Sequence, residues 1–513
     1  MTRNVSRRIR WARSVTVGVV ALAVVASAAC SSDDSESGDS SSGNGESEEV
    51  TSSPDLPAVD AGSVVLGDLP AGAGVSQSTA VTDASATAEP GVADRRLADD
   101  YVEHEYLMEG VASTYTGPAT GPVTVASESV PYVTRILVRE PEEADEFSGR
   151  VVVEPFNTTG AQDLDAIWSQ VAPLLQANGD AWVGVTVRYL SDAALEEFDP
   201  ARYGVIDIST NDVGWDMVRQ VGALLKQGGE ASPLPELEPS HVYLVGYSQS
   251  GTDTATFANA FHPITGTESG EPVFDGYFPA AHASNLTQVA SGAISLPAFE
   301  QHPISAVGVP VVDLETQSDV EGFAVNTGLG IDYTSPGGAT VRREDSDTDG
   351  DRFRLHELPG APHSRRNRAC DGNGSTYPNS FFVQAALASL FRWAEDGEAP
   401  SEAERITLAV DDVVSTSAVD EDGNALGGVR SPFVDLALVR YGIATGPGPL
   451  CKLAGIEEPL DPAMLRERYG TVDEYMDRFA EQLDDTIEAG FLLEGDREAL
   501  LQLQQDKATA ALG

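Results

Sequence analysis

A serine hydroxyl is a useful nucleophile only when a base takes its proton and a third group orients that base. Residues 241–251 read HVYLVGYSQSG, an apolar run followed by Gly246, Ser248 and the small Ser250. The next stretch, TDTATFANAF, has helical character. A strand that turns sharply into a helix presents such a serine on a strained backbone, and small residues two positions to either side let strand and helix pass closely. The string Gly-x-Ser-Gln-Ser also occurs at 74–78, in AGAGVSQSTA, with neither strand nor helix around it. Context therefore selects Ser248 as the candidate nucleophile and leaves Ser76 as a chance repeat.

The partners follow in the order serine, acid, histidine. Beyond the apolar run VPVVDLE (309–315) lies Asp319, and beyond RFRLHEL (352–358) lies His363 on a loop with glycine and proline. His363 is the candidate general base and acid, and Asp319 the candidate carboxylate that orients it. Glu315, on the same strand exit, is the alternative acid, and Asp313 reads as a strand residue. Donors to a developing oxyanion are expected from the main-chain N–H of Gln249 and from the loop after RVVVEPFN, at Asn157 or Thr158. His282, just past VFDGYFPA, is a candidate to line the cleft, whereas His104, His241, His262 and His356 fall within or at the edges of elements.

One further constellation is visible. EDSDTDGD places Asp345, Asp347, Asp349 and Gly350 at calcium-loop spacing, but His356 occupies the twelfth position, where a bidentate glutamate belongs. In so acidic a chain a solvated turn is the expectation; calcium on these three residues is a weak alternative, and no cofactor is expected.

Side chains so far apart in sequence need a scaffold. Short apolar, β-branched runs recur at 132–138, 150–156, 181–187, 241–246, 273–278, 309–315 and 352–358. Several are nearly continuous in hydrophobic residues, as in strands covered on both faces. Helical patterns at 164–179 and 214–229 lie between them, each closed by glycine. This alternation predicts an α/β fold with a mostly parallel central sheet and helices on both faces. A helix at 380–397, a hairpin at 420–428 and a helix-rich C-terminal extension from about 460 complete the expectation.

With these motifs in place, the chain resembles the α/β-hydrolase superfamily, and within it an exported α/β-hydrolase-domain family of poorly defined activity. The similar stretches run from YVEHEYLMEGVASTY through VPYVTRILVREP, DPARYG, GYSQSG, VFDGY and GNALGGVRSP to YMDRFAEQLDDTIEAGFLLEGD, over roughly residues 100–500. The resemblance implies a serine hydrolase acting on small carboxylic esters through an acyl-enzyme. In the family the acid region reads more like Thr-Glu-x-Asp; here Gln317 replaces the glutamate while Asp319 remains, which favours Asp319. The competing class is a surface binding protein that keeps the scaffold without turnover.

The ends and the charge bound the remaining possibilities. Residues 1–29 combine five arginines and no acid in MTRNVSRRIRWAR with the apolar SVTVGVVALAVVASAA, which predicts an export signal. The sequence before Cys30 resembles a lipoprotein signal, with Ser27 where leucine is usual, so Cys30 is the expected site of lipidation and the only membrane contact expected. The product is then lipid-anchored on the outer face of the cell membrane, or secreted if Cys30 is not acylated. Residues 30–98, rich in serine, glycine and acid, read as a disordered tether, and 99–513 as the folded domain. Cys370 and Cys451 remain as an even pair in an oxidising compartment and are expected to form a disulfide. A formal net charge of −50, with lysine only at 226, 452 and 507, excludes nucleic acid as a partner.

Overall fold

The fold is that of a computed structural model, which describes residues 56–72, 96–159, 162–290, 299–326, 332–365, 370–371, 374–411, 414–444, 451 and 453–513. The export signal, Cys30 and most of the expected tether lie outside the described residues.

A ten-stranded sheet forms the centre. In chain order its strands are β1 (Val65–Asp68), β2 (Tyr101–Thr116), β3 (Thr124–Pro141), β4 (Arg150–Pro155), β5 (Ala181–Val185), β6 (His241–Tyr247), β7 (Gly276–Ala280), β8 (Val311–Thr316), β9 (Ser346–Thr348) and β10 (Asp351–Leu358). Their spatial order is β1-β2-β3-β5-β4-β6-β7-β8-β10-β9. The stretch from β5 through β10 is parallel throughout. Antiparallel neighbours extend it at both ends, β3, β2 and β1 on one side and β9 on the other.

Alternation along the strands explains why the sheet is covered twice. Val151, Val153, Val242, Leu244 and Tyr277 face a core shared with the helix α2 (Gly214–Gln227) and with the segment following Ser248. Val152, Tyr243, Val245, Phe278, Val312 and Leu314 face the opposite core, shared with α1 (Trp168–Asn178) and the long helix Asn379–Asp396. The C-terminal helices Val472–Glu488 and Arg497–Leu512 pack into that second core through Tyr475, Phe479, Leu483 and Leu500. The first of them begins with a capping box between Thr471 and Glu474. With about 1.5–3 kcal/mol for each large apolar side chain removed from water, these two layers dominate the driving force for folding.

Two fully buried arginines tie β3 to the loop that leaves β4. Arg135 bonds Glu105 at 2.9 Å and Asp163 at 2.7 Å. Arg139 bonds Glu103 at 2.9 Å and Asp165 at 2.8 Å while its guanidinium lies over the rings of Trp168 and Trp182. Glu154 at the end of β4 accepts from the Ile167 and Trp168 N–H groups at the start of α1 and from Trp182 Nε1. A charge buried with its partners is costly to strand, so these bonds fix where that loop runs.

One boundary departs from expectation. The expected tether at 30–98 contains a folded piece: residues 56–72 dock on the domain, and β1 pairs antiparallel with β2 from Val65↔Glu109 to Asp68↔Tyr106. Leu69 is buried, and Val59, Val64 and Leu66 pack against the same core. The six Val and Leu residues of LPAVDAGSVVLGDLP sit among small and turn-forming ones and suffice for an edge strand. A chain beginning at residue 73 is expected to be less stable than one beginning at residue 56 by about 2–4 kcal/mol, measured by urea unfolding.

Candidate active site

Strand β6 runs directly into helix α3 (Gln249–Thr256), and Ser248 stands at the junction with φ 62° and ψ −121°. A non-glycine residue in this conformation is strained by about 1–3 kcal/mol, so the surroundings must hold it. They do: Ser248 N–H donates to Ala280 O at 2.9 Å, and Ser250 Oγ bridges the main chain of Tyr247. A Cβ on Gly251 would come within 2.4 Å of Ala280 O, and one on Gly246 within 2.2 Å of Ser250 O. The small residues flanking the serine are therefore required by contact.

Asp319 and His363, the candidate acid and base, are in contact. His363 Nδ1 lies 2.8 Å from Asp319 Oδ1, and Thr316 donates its hydroxyl to the other carboxylate oxygen. Asp319 is buried, and its short helix Gln317–Glu321 is capped by Thr316. The two loops are tied by Gln317, whose N–H reaches Ala361 O and whose side chain accepts from Gly360 N–H. Tyr247, adjacent to Ser248, packs on the His363 ring with centroids 5.4 Å apart and donates its hydroxyl to His363 O at 2.8 Å. Burial, with the charges of Asp319 and Glu315, holds the Tyr247 pKa well above its usual value, so the phenol stays a donor. Among the described residues no hydrogen bond joins Ser248 Oγ to His363; catalytic contacts of this kind often tighten only around substrate.

The loop carrying His363 is stitched to a distant segment. Ser364 N–H donates to Leu453 O, Gly455 N–H donates to Ser364 O, and Cys370 is bonded to Cys451 in the expected disulfide, with Cα atoms 5.4 Å apart.

Asn157 and Thr158 both approach the junction, in different ways. The Asn157 N–H is committed to Leu164 O at 3.0 Å, which removes it as a main-chain donor; its side chain instead donates to Tyr247 O at 3.0 Å. Thr158 N–H donates to Gln249 Oε1 at 2.8 Å. Gln249 Nε2 in turn donates to Asp253, which is paired with Arg188 and accepts from Thr287. Among the described residues nothing accepts from the Gln249 main-chain N–H, as expected at a helix start. Sequence reading missed Arg188 and Asp253, whose types carry no motif and which meet only through the fold.

The alternative acid Glu315 faces elsewhere. It accepts from the Ala283 and Ser284 N–H groups, both at 3.1 Å, and lies 3.4 Å from His282 rather than against His363. His282 also bonds Asp313 at 3.1 Å. Burial alone would lower the His282 pKa, but Asp313 and Glu315 outweigh it and hold it up at about 9. Burial pushes His262 and His356 down to about 4. The three calcium candidates lie on the β9–β10 hairpin, where Asp345 pairs with Arg405 and Asp347 with Arg354; Asp349 sits at its exposed turn. Arginines thus take two of the three carboxylates that a calcium ring would need.

A model of the alpha/beta hydrolase domain family matches residues 67–502, and the chain belongs to that family. No curated protein matches the sequence. Solved structures similar to this chain include the esterase Est22, 13% identical over 36% of this chain and 46% of that chain, with a TM-score of 0.23. A lidless serine hydrolase from Xanthomonas campestris is 12% identical over 49% of this chain and 85% of that one, with a TM-score of 0.25. Brefeldin A esterase, described as a bacterial homologue of human hormone sensitive lipase, is 13% identical over 36% and 40%, with a TM-score of 0.21. The match spans less than two thirds of the first esterase chains' own length.

Replacing Cys370 and Cys451 with serine is expected to lower stability by about 2–5 kcal/mol, read by thermal unfolding, and to make residues 363–375 the first site of limited proteolysis. An unchanged cleavage pattern would show that the disulfide does not anchor this loop.

Proposed function

We propose that the protein is an exported serine hydrolase that cleaves small carboxylic esters through an acyl-enzyme on Ser248. The observation that supports it most is the strained Ser248 at a strand-to-helix junction, with the Asp319–His363 pair carried on loops packed against Tyr247. In this reading His363 takes the Ser248 proton through Nε2 as the oxygen attacks the ester carbonyl. Asp319 holds Nδ1–H, fixes the tautomer and stabilises the imidazolium. The carbonyl oxygen, now negative, is held by the Gln249 N–H, with Thr158 N–H as second donor once Gln249 Oε1 gives way. His363 then hands its proton to the departing alcohol, and water repeats the sequence to release the acid.

Hydrolysis of p-nitrophenyl esters tests these roles. Ser248→Ala is expected to lower kcat by at least about 10⁴-fold, and Asp319→Asn by about 10³–10⁴-fold with the folded state intact. Near-normal turnover in Asp319→Asn would remove Asp319 from this role, and no turnover by the wild-type chain on any ester would favour the binding-protein reading.

The same reading places the protein on the outer face of the cell membrane through acylated Cys30, or in the medium without acylation. Metabolic labelling with an alkyne fatty acid should mark the wild-type chain and not Cys30→Ala, which should appear in the medium. Equal partitioning of both chains would contradict anchoring through Cys30.

A further inference from the structure

Behind the candidate catalytic residues, His282, Asp313 and Glu315 bring one nitrogen and two carboxylates together, with ligand atoms all within 4.8 Å of one another. All three residues are at most 4% exposed. Asp313 and Glu315 alternate along β8 and so share one face of the sheet, and His282 follows the end of β7.

Among the described residues no lysine or arginine pairs with Asp313 or Glu315, and His282 is the one basic side chain in contact with both. Carboxyl groups buried side by side are costly unless a cation or hydrogen bonds meet them. A divalent cation held by the imidazole and both carboxyl groups supplies such a partner.

The geometry agrees. Ligand atoms about 2.0–2.2 Å from a tetrahedral ion stand about 3.3–3.5 Å apart. His282 Nε2 lies 3.1 Å from Asp313 Oδ1 and 3.4 Å from Glu315 Oε1. The other ring nitrogen, Nδ1, lies 3.3 Å from Asn285 O, the carbonyl contact that typically orients a metal-binding histidine. Glu315 is oriented by the Ala283 and Ser284 N–H groups. The second Asp313 oxygen has no hydrogen-bond partner among the described residues, and Asp313 and His282 both line a small cavity shared with Ser284, His302 and Arg343, whose guanidinium is paired with Asp351. The turn that delivers His282 holds Ala281, Ala283 and Ser284 at φ 50°, 54° and 51°, so three non-glycine residues are strained to place it.

We propose that His282, Asp313 and Glu315 form a binding site for one divalent transition-metal ion of the zinc type, with water from the cavity completing the coordination. The ion is structural. It clamps the turn after β7 to β8, next to Ala280, whose carbonyl holds the Ser248 N–H.

The full chain, stripped with EDTA and returned to buffer, is titrated with zinc chloride by calorimetry, and its metal content is measured after dialysis. About one tightly held equivalent per chain is expected, with a rise of several degrees in the unfolding midpoint. Cobalt chloride in place of zinc should give the visible absorption of a four-coordinate site with nitrogen and oxygen ligands. Asp313→Asn, nearly isosteric, is expected to retain at least tenfold less zinc. A stripped wild-type chain with native near-ultraviolet circular dichroism that holds no zinc and does not shift its midpoint overturns the proposal. So does equal zinc retention by wild type, Asp313→Asn and His282→Gln, because the acidic surface would then be the binder. If both variants fail to fold, the wild-type stoichiometry and cobalt spectrum decide alone.

Discussion

The hydrogen bond from Ser248 N–H to Ala280 O is the contact on which the site depends. It spans two adjacent parallel strands at their C-terminal ends and holds a serine whose backbone would otherwise relax. The neighbouring glycines exist for the same reason, since any side chain on Gly251 would push Ala280 away. Everything that fixes Ala280 therefore fixes Ser248. That includes the two apolar cores that bury β7, the Ala281 N–H bond to Leu314 O, and the His282 turn beyond it. The strain of about 1–3 kcal/mol at Ser248 is small beside the burial that maintains it.

The other half of the site is made of loops, which need separate restraint because loops lack ladder hydrogen bonds. Here each is tied more than once. The Asp319 helix is capped by Thr316 and joined to the His363 loop by Gln317. The His363 loop is paired with residues 453–455, and Tyr247 reaches it from the serine side. On the opposite flank, the chain Arg188–Asp253–Gln249–Thr158 links the first turn of α3 to the loop after β4. That flank carries the groups proposed to meet an oxyanion, and its bonds fix where their N–H groups stand.

What the sequence made legible follows from burial. Strands β4, β5 and β6 are covered on both faces and read as near-continuous apolar runs, while β8 and β10 read as apolar runs broken by charged residues. Ser248, Asp319 and His363 were readable because each follows such a run. Strand β1 was hidden because its few apolar residues sit among small ones, and β2 because its residues are largely half-exposed. The turn at Ala281–Ser284 contains no glycine, so nothing in its composition signals positive φ. Arg188–Asp253 and the His282 cluster join residues from separate elements, and only the fold brings them together.

The central claim is that Ser248, and no other serine, is made nucleophilic by this arrangement. The most direct measurement is peptide mapping by mass spectrometry after reaction of the folded and the urea-unfolded chain with a fluorophosphonate. The account predicts a single adduct on the peptide containing Ser248, formed only by the folded chain. An adduct on another serine, or one that forms equally in the unfolded chain, would contradict it.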